Sequence, residues 1–134
     1  GRNAAVVKLT LALIERACKL APAEAAYVVE RGYQYTLLGD YAAAAAAYRE
    51  AHTLDEANMD ALLGQIRCQI ETGALREAAS QLEFIAEIQA ALGMTAELAL
   101  VSALVEARLR GDKPRAVAYL DQALELHMTE LKAH

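Results

Sequence analysis

Residues 25–58 read AAYVVERGYQYTLLGDYAAAAAAYREAHTLDEAN. Two helical patterns meet there at Gly39-Asp40. Val28, Gly32 and Tyr35 fall on one face of the first, and Ala44, Tyr48 and Ala51 on one face of the second. Gly39 is placed to end the first helix with a left-handed turn, and Asp40 to cap its successor. Small residues at Gly32 and Ala44 are expected to face each other at the crossing, where larger side chains would push the helices apart. Neither helix can bury its apolar stripe alone, so the pair predicts neighbours of the same kind.

The same punctuation returns along the chain. Gly39, Gly73 and Gly111 stand 34 and 38 residues apart. Each is followed five residues later by an alanine (Ala44, Ala78, Ala116) and nine later by Tyr48, Leu82 or Leu120. A beat near 34 residues resembles the tetratricopeptide repeat, two antiparallel helices whose apolar faces are covered by stacking. The expected fold is an all-α tetratricopeptide-repeat solenoid, a right-handed superhelix of antiparallel helix pairs with about seven helices.

Helical periodicity and its breakers place those helices at about 3–20, 24–38, 41–54, 58–71, 75–92, 95–110 and 113–130. The first, stopped near Pro22, reads as the second helix of a truncated repeat over 3–22. The repeat 25–58 fits the pattern best. In 59–92 the slots hold Leu62, Ile66, Gln69, Gly73, Ala78 and Leu82, a degenerate repeat that puts Ile66 where a small residue is usual and has an extended second helix. In 97–130 they hold Leu100, Leu104, Ala107, Gly111, Ala116, Leu120 and Ala123, after a four-residue insertion around Ala91 to Met94. Residues 1–134 therefore read as a single piece of a longer repeat array. Its two ends are expected to present apolar surface and to support end-to-end self-association.

Of 134 residues, 56% are hydrophobic and 31 are alanine, against one Phe and no Trp. Strong helix propensity combined with small side chains predicts closely approaching helices. A net charge of −5 argues against a nucleic-acid partner, which needs clustered Lys and Arg. No apolar run approaches a membrane span and no signal segment opens the chain, so neither membrane insertion nor export is expected. Cys18 and Cys68 lack metal-ligand spacing and read as small core thiols.

Several stretches between the repeat slots, among them Leu13-Ile14-Glu15-Arg16-Ala17, Gly32-Tyr33-Gln34, Thr53-Leu54-Asp55-Glu56, Cys68-Gln69, Gln81-Leu82-Glu83-Phe84, Glu87-Ile88-Gln89 and Ala96-Glu97-Leu98, resemble the tetratricopeptide repeat protein 21 family. The alanine run Ala42 to Ala47 departs from that resemblance, which has charged or bulky residues there. The resemblance implies a subunit of intraflagellar transport complex A, working in retrograde traffic within cilia. It implies a scaffold in the cytoplasm and cilium whose partners are other protein subunits of that complex.

Catalysis requires groups brought together with shifted proton affinities. His52, His127 and His134 have no metal-binding spacing, Ser80 and Ser102 no nucleophile elbow, and Gly32, Gly39 and Gly64 no phosphate loop. No enzyme, cofactor or metal site is expected. The i,i+4 pairs Glu15 with Lys19 and Glu106 with Arg110 read as exposed helix stitches.

Binding surface is the alternative to chemistry. In such arrays the first helices line a concave groove, and the candidates there are Tyr33, Leu37, Leu63, Arg67, Glu71, Val101 and Arg108, with Val29, Ile70 and Val105 beside them. Tyr and Arg are favoured at binding hot spots. The stronger reading packs Tyr33 within the superhelix and leaves both arginines solvated or paired with Glu71 and Glu106. A second functional reading is a peptide-binding adaptor or co-chaperone-like module. Val29 and Tyr33 occupy places where chaperone-binding relatives carry basic and Asn side chains, which argues against a clamp for a terminal carboxylate.

Overall fold

The structure is a computed structural model that describes residues 2–89 and 93–133. Among these, seven α-helices follow one another: α1 (Arg2–Leu20), α2 (Ala25–Leu37), α3 (Tyr41–Leu54), α4 (Met59–Glu71), α5 (Leu75–Gln89), α6 (Ala96–Val105) and α7 (Lys113–Ala133). A single π-helical turn, Glu106–Arg110, extends α6. The insertion expected around Ala91 to Met94 and the end of the helix expected to reach residue 92 lie partly outside the described residues.

The stop and start chemistry is local. Gly39 adopts φ +75°, a conformation that L side chains rarely take, and Asp40 Oδ1 then accepts from the Ala43 amide to cap α3. Asn58 and Thr95 cap α4 and α6 in the same way, through bonds from Ala61 and Leu98.

The helices form two compact units, residues 1–72 and 73–134. In the first, α2 packs on α1 and α3, and α4 on α3 and α2. One core cluster joins Val28, Ala47, Ala51 and Ala61, with Cys18 and Val29 against it. A second joins Ala44, Tyr48 and Cys68, flanked by Tyr35 and Tyr41. Small residues at the three- and four-residue spacing of α3 let its neighbours close in, while Ala42 and Ala46 on its outer side are exposed. Arg31 of α2 pairs with Glu50 of α3 across their crossing.

Tyr48 is the residue around which this crossing is built. The atoms nearest a Cβ on Gly32 belong to the Tyr48 ring, at 2.9–3.1 Å, so the close approach is glycine to aromatic ring and not Gly32 to Ala44. The same ring lies still closer to Gly64 of α4. The small residue of the second repeat is therefore Gly64. Ile66, two positions on, is a fully buried core residue.

In the second unit α6 packs against α5 and α7. Ala96, Leu98, Ala99, Val101, Ser102, Ala103 and Val105 are all buried. A helix apolar nearly all round belongs in the middle of a core, and α6 is that element here. Leu100 and Leu104, expected as core contacts, are only half-buried, Ala107 and Leu120 are exposed, and Ala116 is buried.

Candidate partner-binding site

The C-terminal half of α2 carries Tyr33, Thr36 and Leu37, α3 carries Tyr41 and Tyr48, and α4 carries Gly64, Arg67 and Glu71. Spacings of three, four and seven residues put each set on one helix face. Together they line a single cavity of about 340 Å³ within the first unit. Four of the seven candidate groove residues, Tyr33, Leu37, Arg67 and Glu71, meet there.

The other three do not. Leu63 is 5% and Val101 2% exposed, so neither can reach a partner. The physical reason is the breadth of the apolar surface on both helices: α4 buries Ala61, Leu63, Gly64, Ile66, Cys68 and Ile70, and α6 is buried nearly all round. Ile70 and Val105 are withdrawn for the same reason, and Val29 packs against both core clusters. Arg108 is exposed on the π turn of the second unit and carries a polar interaction of its own.

Within the cavity, Tyr33 is 50% and Leu37 52% exposed, an apolar rim open to solvent. The Thr36 hydroxyl is used up, donating to the Tyr33 carbonyl at 2.5 Å. Glu71 is half-buried and engaged in an interaction of its own. Arg67 is exposed, and no hydrogen bond or ion pair holds it among the described residues. Tyr48 is only 5% exposed, yet it lines the cavity and makes no hydrogen bond among the described residues. Burial, reinforced by Cys68 and opposed by Arg67, pushes its phenol up to about 12. It stays protonated and keeps a hydrogen to donate.

Tyr41, Thr36 and Gly64 were not among the residues expected here. The legible signal was Gly64 itself. A glycine inside a helix costs about 1 kcal/mol relative to alanine and so points to a close approach.

A second cavity of about 310 Å³ lies between α1, α2 and α3, lined by Glu15, Cys18, Lys19, Pro22, Val28, Arg31 and Glu50. Its central charges, Arg31 and Glu50, already satisfy each other. No ion pair joins Glu15 to Lys19 among the described residues. Glu106 also departs from the expected exposed stitch. It is 4% exposed, and its Oε1 accepts from Arg110 at 2.7 Å with Arg115 Nε at 3.6 Å. Arg110 reaches on to Glu83 of α5 at 3.0 Å, and Arg115 lies over the Tyr119 ring. This cluster ties α5, α7 and the π turn together.

Among the described residues no group of three or more His, Cys, Asp or Glu could hold a metal ion, and no helix is long and apolar enough to cross a membrane.

Comparison with known proteins places this geometry. The whole chain, residues 1–134, matches the family described as the Tetratricopeptide repeat protein 21 second ARM domain. It is 35% identical to Tetratricopeptide repeat protein 21B of Homo sapiens over 132 residues, and 37% identical to Tetratricopeptide repeat protein 21A of Mus musculus over 132 residues. Each match covers 98% of this chain, which spans 10% of either relative's length. Among solved structures, MamA MSR-1 C2 matches with a TM-score of 0.62 at 16% identity, over 93% of this chain and 70% of that one. At that identity the likeness shows the helical-repeat fold alone.

Proposed function

Since the chain belongs to the tetratricopeptide repeat protein 21 family, we propose that it is a non-catalytic scaffold segment of an intraflagellar transport complex A subunit, serving retrograde traffic within cilia. Its work is to present surface to other protein subunits, in the cytoplasm and the cilium. The observation that carries the reading is family membership over the full chain, joined to a fold whose usual product is an extended binding surface. The net charge of −5 leaves nucleic acid out of the proposal. The sequence offers no reactive constellation for catalysis, so the proposal includes no chemistry.

The test is an exchange. Human Tetratricopeptide repeat protein 21B is expressed in ciliated cells intact, without its matching segment, and with this chain in place of that segment. The transport complex is then recovered from each. Loss of subunits on deletion and their return with the exchange support the proposal. Equal recovery in all three makes the segment a spacer and overturns it.

A peptide-binding adaptor is the second reading. The cavity around Tyr48, where two polar donors converge beside an apolar rim, is what favours it.

A further inference from the structure

Two hydrogen-bond donors point into the α2–α3–α4 cavity without an acceptor. Tyr48 is 5% exposed, its ring pressed against Gly32 and Gly64, and it lines the cavity. Its hydroxyl is not sealed in: the buried side-chain polar atom without a partner among the described residues is Gln69 Oε1. The phenol is thus wet and unpaired at the cavity floor. Arg67, at the rim, is an unpaired cation on the next helix. A wet phenol and an unpaired guanidinium are both free to donate to an incoming acceptor, and charge-assisted bonds from an arginine fork are among the stronger ones available.

What satisfies both donors is an anion with two acceptor oxygens. A carboxylate fits the cavity of about 340 Å³ and leaves room for one neighbouring side chain. The half-exposed faces of Tyr33 and Leu37 form the wall beside it, and they suit an apolar group. The Glu71 carboxylate on the same lining is already engaged, and a chain with a net charge of −5 gains nothing general from an acidic ligand, so any preference for one must come from Arg67 and Tyr48.

Resting on the scaffold reading above, we infer that this cavity docks an extended acidic segment of a partner protein. One Asp or Glu carboxylate accepts from Arg67 and from the Tyr48 hydroxyl, and an adjacent apolar residue lies on Tyr33 and Leu37. This is a side-chain carboxylate held by one arginine and one phenol. It is not a terminal carboxylate held by a basic clamp, whose places Val29 and Tyr33 take here.

The probe is a random dodecapeptide library selected on the intact 134-residue chain, followed by synthesis of the best-enriched peptide and its amide counterpart. The expected consensus is one Asp or Glu next to a large apolar residue. Changing that acid to Asn or Gln should weaken binding about tenfold or more, as should Arg67→Gln. Tyr48→Phe keeps the ring on its glycines and should weaken binding several-fold. Thermal melts close to that of the parent chain show that both variants fold. Enrichment without an acidic residue, an acidic peptide bound equally by either variant, or no enrichment at all overturns the assignment. The scaffold reading fails separately, in the exchange experiment: subunits lost on deletion while no peptide depends on Arg67 leave the scaffold standing and remove this site.

Discussion

A Cβ placed on Gly64 would stand 2.5 Å from Cε1 of Tyr48, closer than real side chains come. At Gly32 the same atom would stand 2.9 Å away. Both glycines sit inside helices, where alanine would otherwise be favoured by about 1 kcal/mol. At Gly64 the clash wins, because three ring atoms of Tyr48 lie within 2.6 Å of the added carbon. Gly64→Ala should cost about 2 kcal/mol net through overpacking. Gly32→Ala should cost less than half as much, since a few tenths of an ångström of movement relieve it. Urea unfolding of the two variants checks the order. A Gly64→Ala chain as stable as the parent would remove Tyr48 from between these glycines.

Truncating the ring itself removes the filler. Tyr48→Ala should lower the unfolding free energy by about 3 kcal/mol or more, the usual cost of emptying a buried aromatic site. Tyr35 looks equivalent in sequence but is only half-buried at the edge of the cluster, so Tyr35→Ala should cost clearly less. Equal losses at the two positions in thermal melts would contradict the burial seen here.

Alkali reads the same core by another route. Burial pushes Cys68 from 9.0 up to about 11 and Tyr48 from 10.0 up to about 12. In both cases the folded chain holds the proton more tightly than the unfolded one. The linked stability is therefore fully present below the unfolded values and drains away as pH rises, over about 9 to 11 for the thiol and about 10 to 12 for the phenol. Cys68→Ala should delay the start of the fall by about one pH unit, and adding Tyr48→Phe should flatten the rest. Urea midpoints followed from neutral pH to about pH 11 measure it. A parent chain whose midpoint holds steady over that range would refute the shifts.

Much of this architecture is written in short-range signals. Gly39 and Asp40 end one helix and begin the next through their own backbone and side-chain chemistry, so spacing alone finds the boundary. The inward face of α4 is different. Whether Leu62 or Leu63 turns inward depends on how much of α4 its neighbours cover, and a generic repeat slot cannot say. Glu106 is harder still: at i,i+4 from Arg110 it looks like a surface stitch. It becomes a buried carboxylate because the π turn carries it inside and Arg115, from another helix, comes to meet it.

That buried carboxylate makes an asymmetric prediction. Removing Arg110 leaves Glu106 buried with Arg115 alone at 3.6 Å, an incompletely compensated charge. Glu83, on the other side of the same arginine, is largely exposed, and exposed ion pairs contribute little. Arg110→Ala should destabilise by about 2 kcal/mol. Glu83→Ala should stay within about 0.5 kcal/mol of the parent. The comparison needs only thermal melts of the two variants. Equal effects would mean that the Glu106 contact carries no more weight than the surface pair.

The last prediction concerns the first and last helices of the chain. Val6, Leu9, Leu13 and Leu20 are exposed on α1, as are Val117, Leu120, Leu124, Met128 and Leu131 on α7. Both sets recur at three-, four- and seven-residue intervals, the spacing of a helix face meant to be covered. The charges beside them do not oppose the contact: α1 carries Lys8, Arg16 and Lys19 against Glu15, and on α7 Asp121, Glu125 and Glu130 are balanced by Lys113, Arg115 and Lys132. A second copy that lays its α7 face on α1 covers both apolar stripes. Sedimentation of the 134-residue chain should then show concentration-dependent association. Leu124→Glu should abolish the association while leaving the melting temperature nearly unchanged, because the side chain is exposed in the single copy. A chain that stays strictly monomeric at high concentration, or associates equally well with Leu124→Glu, rules this contact out.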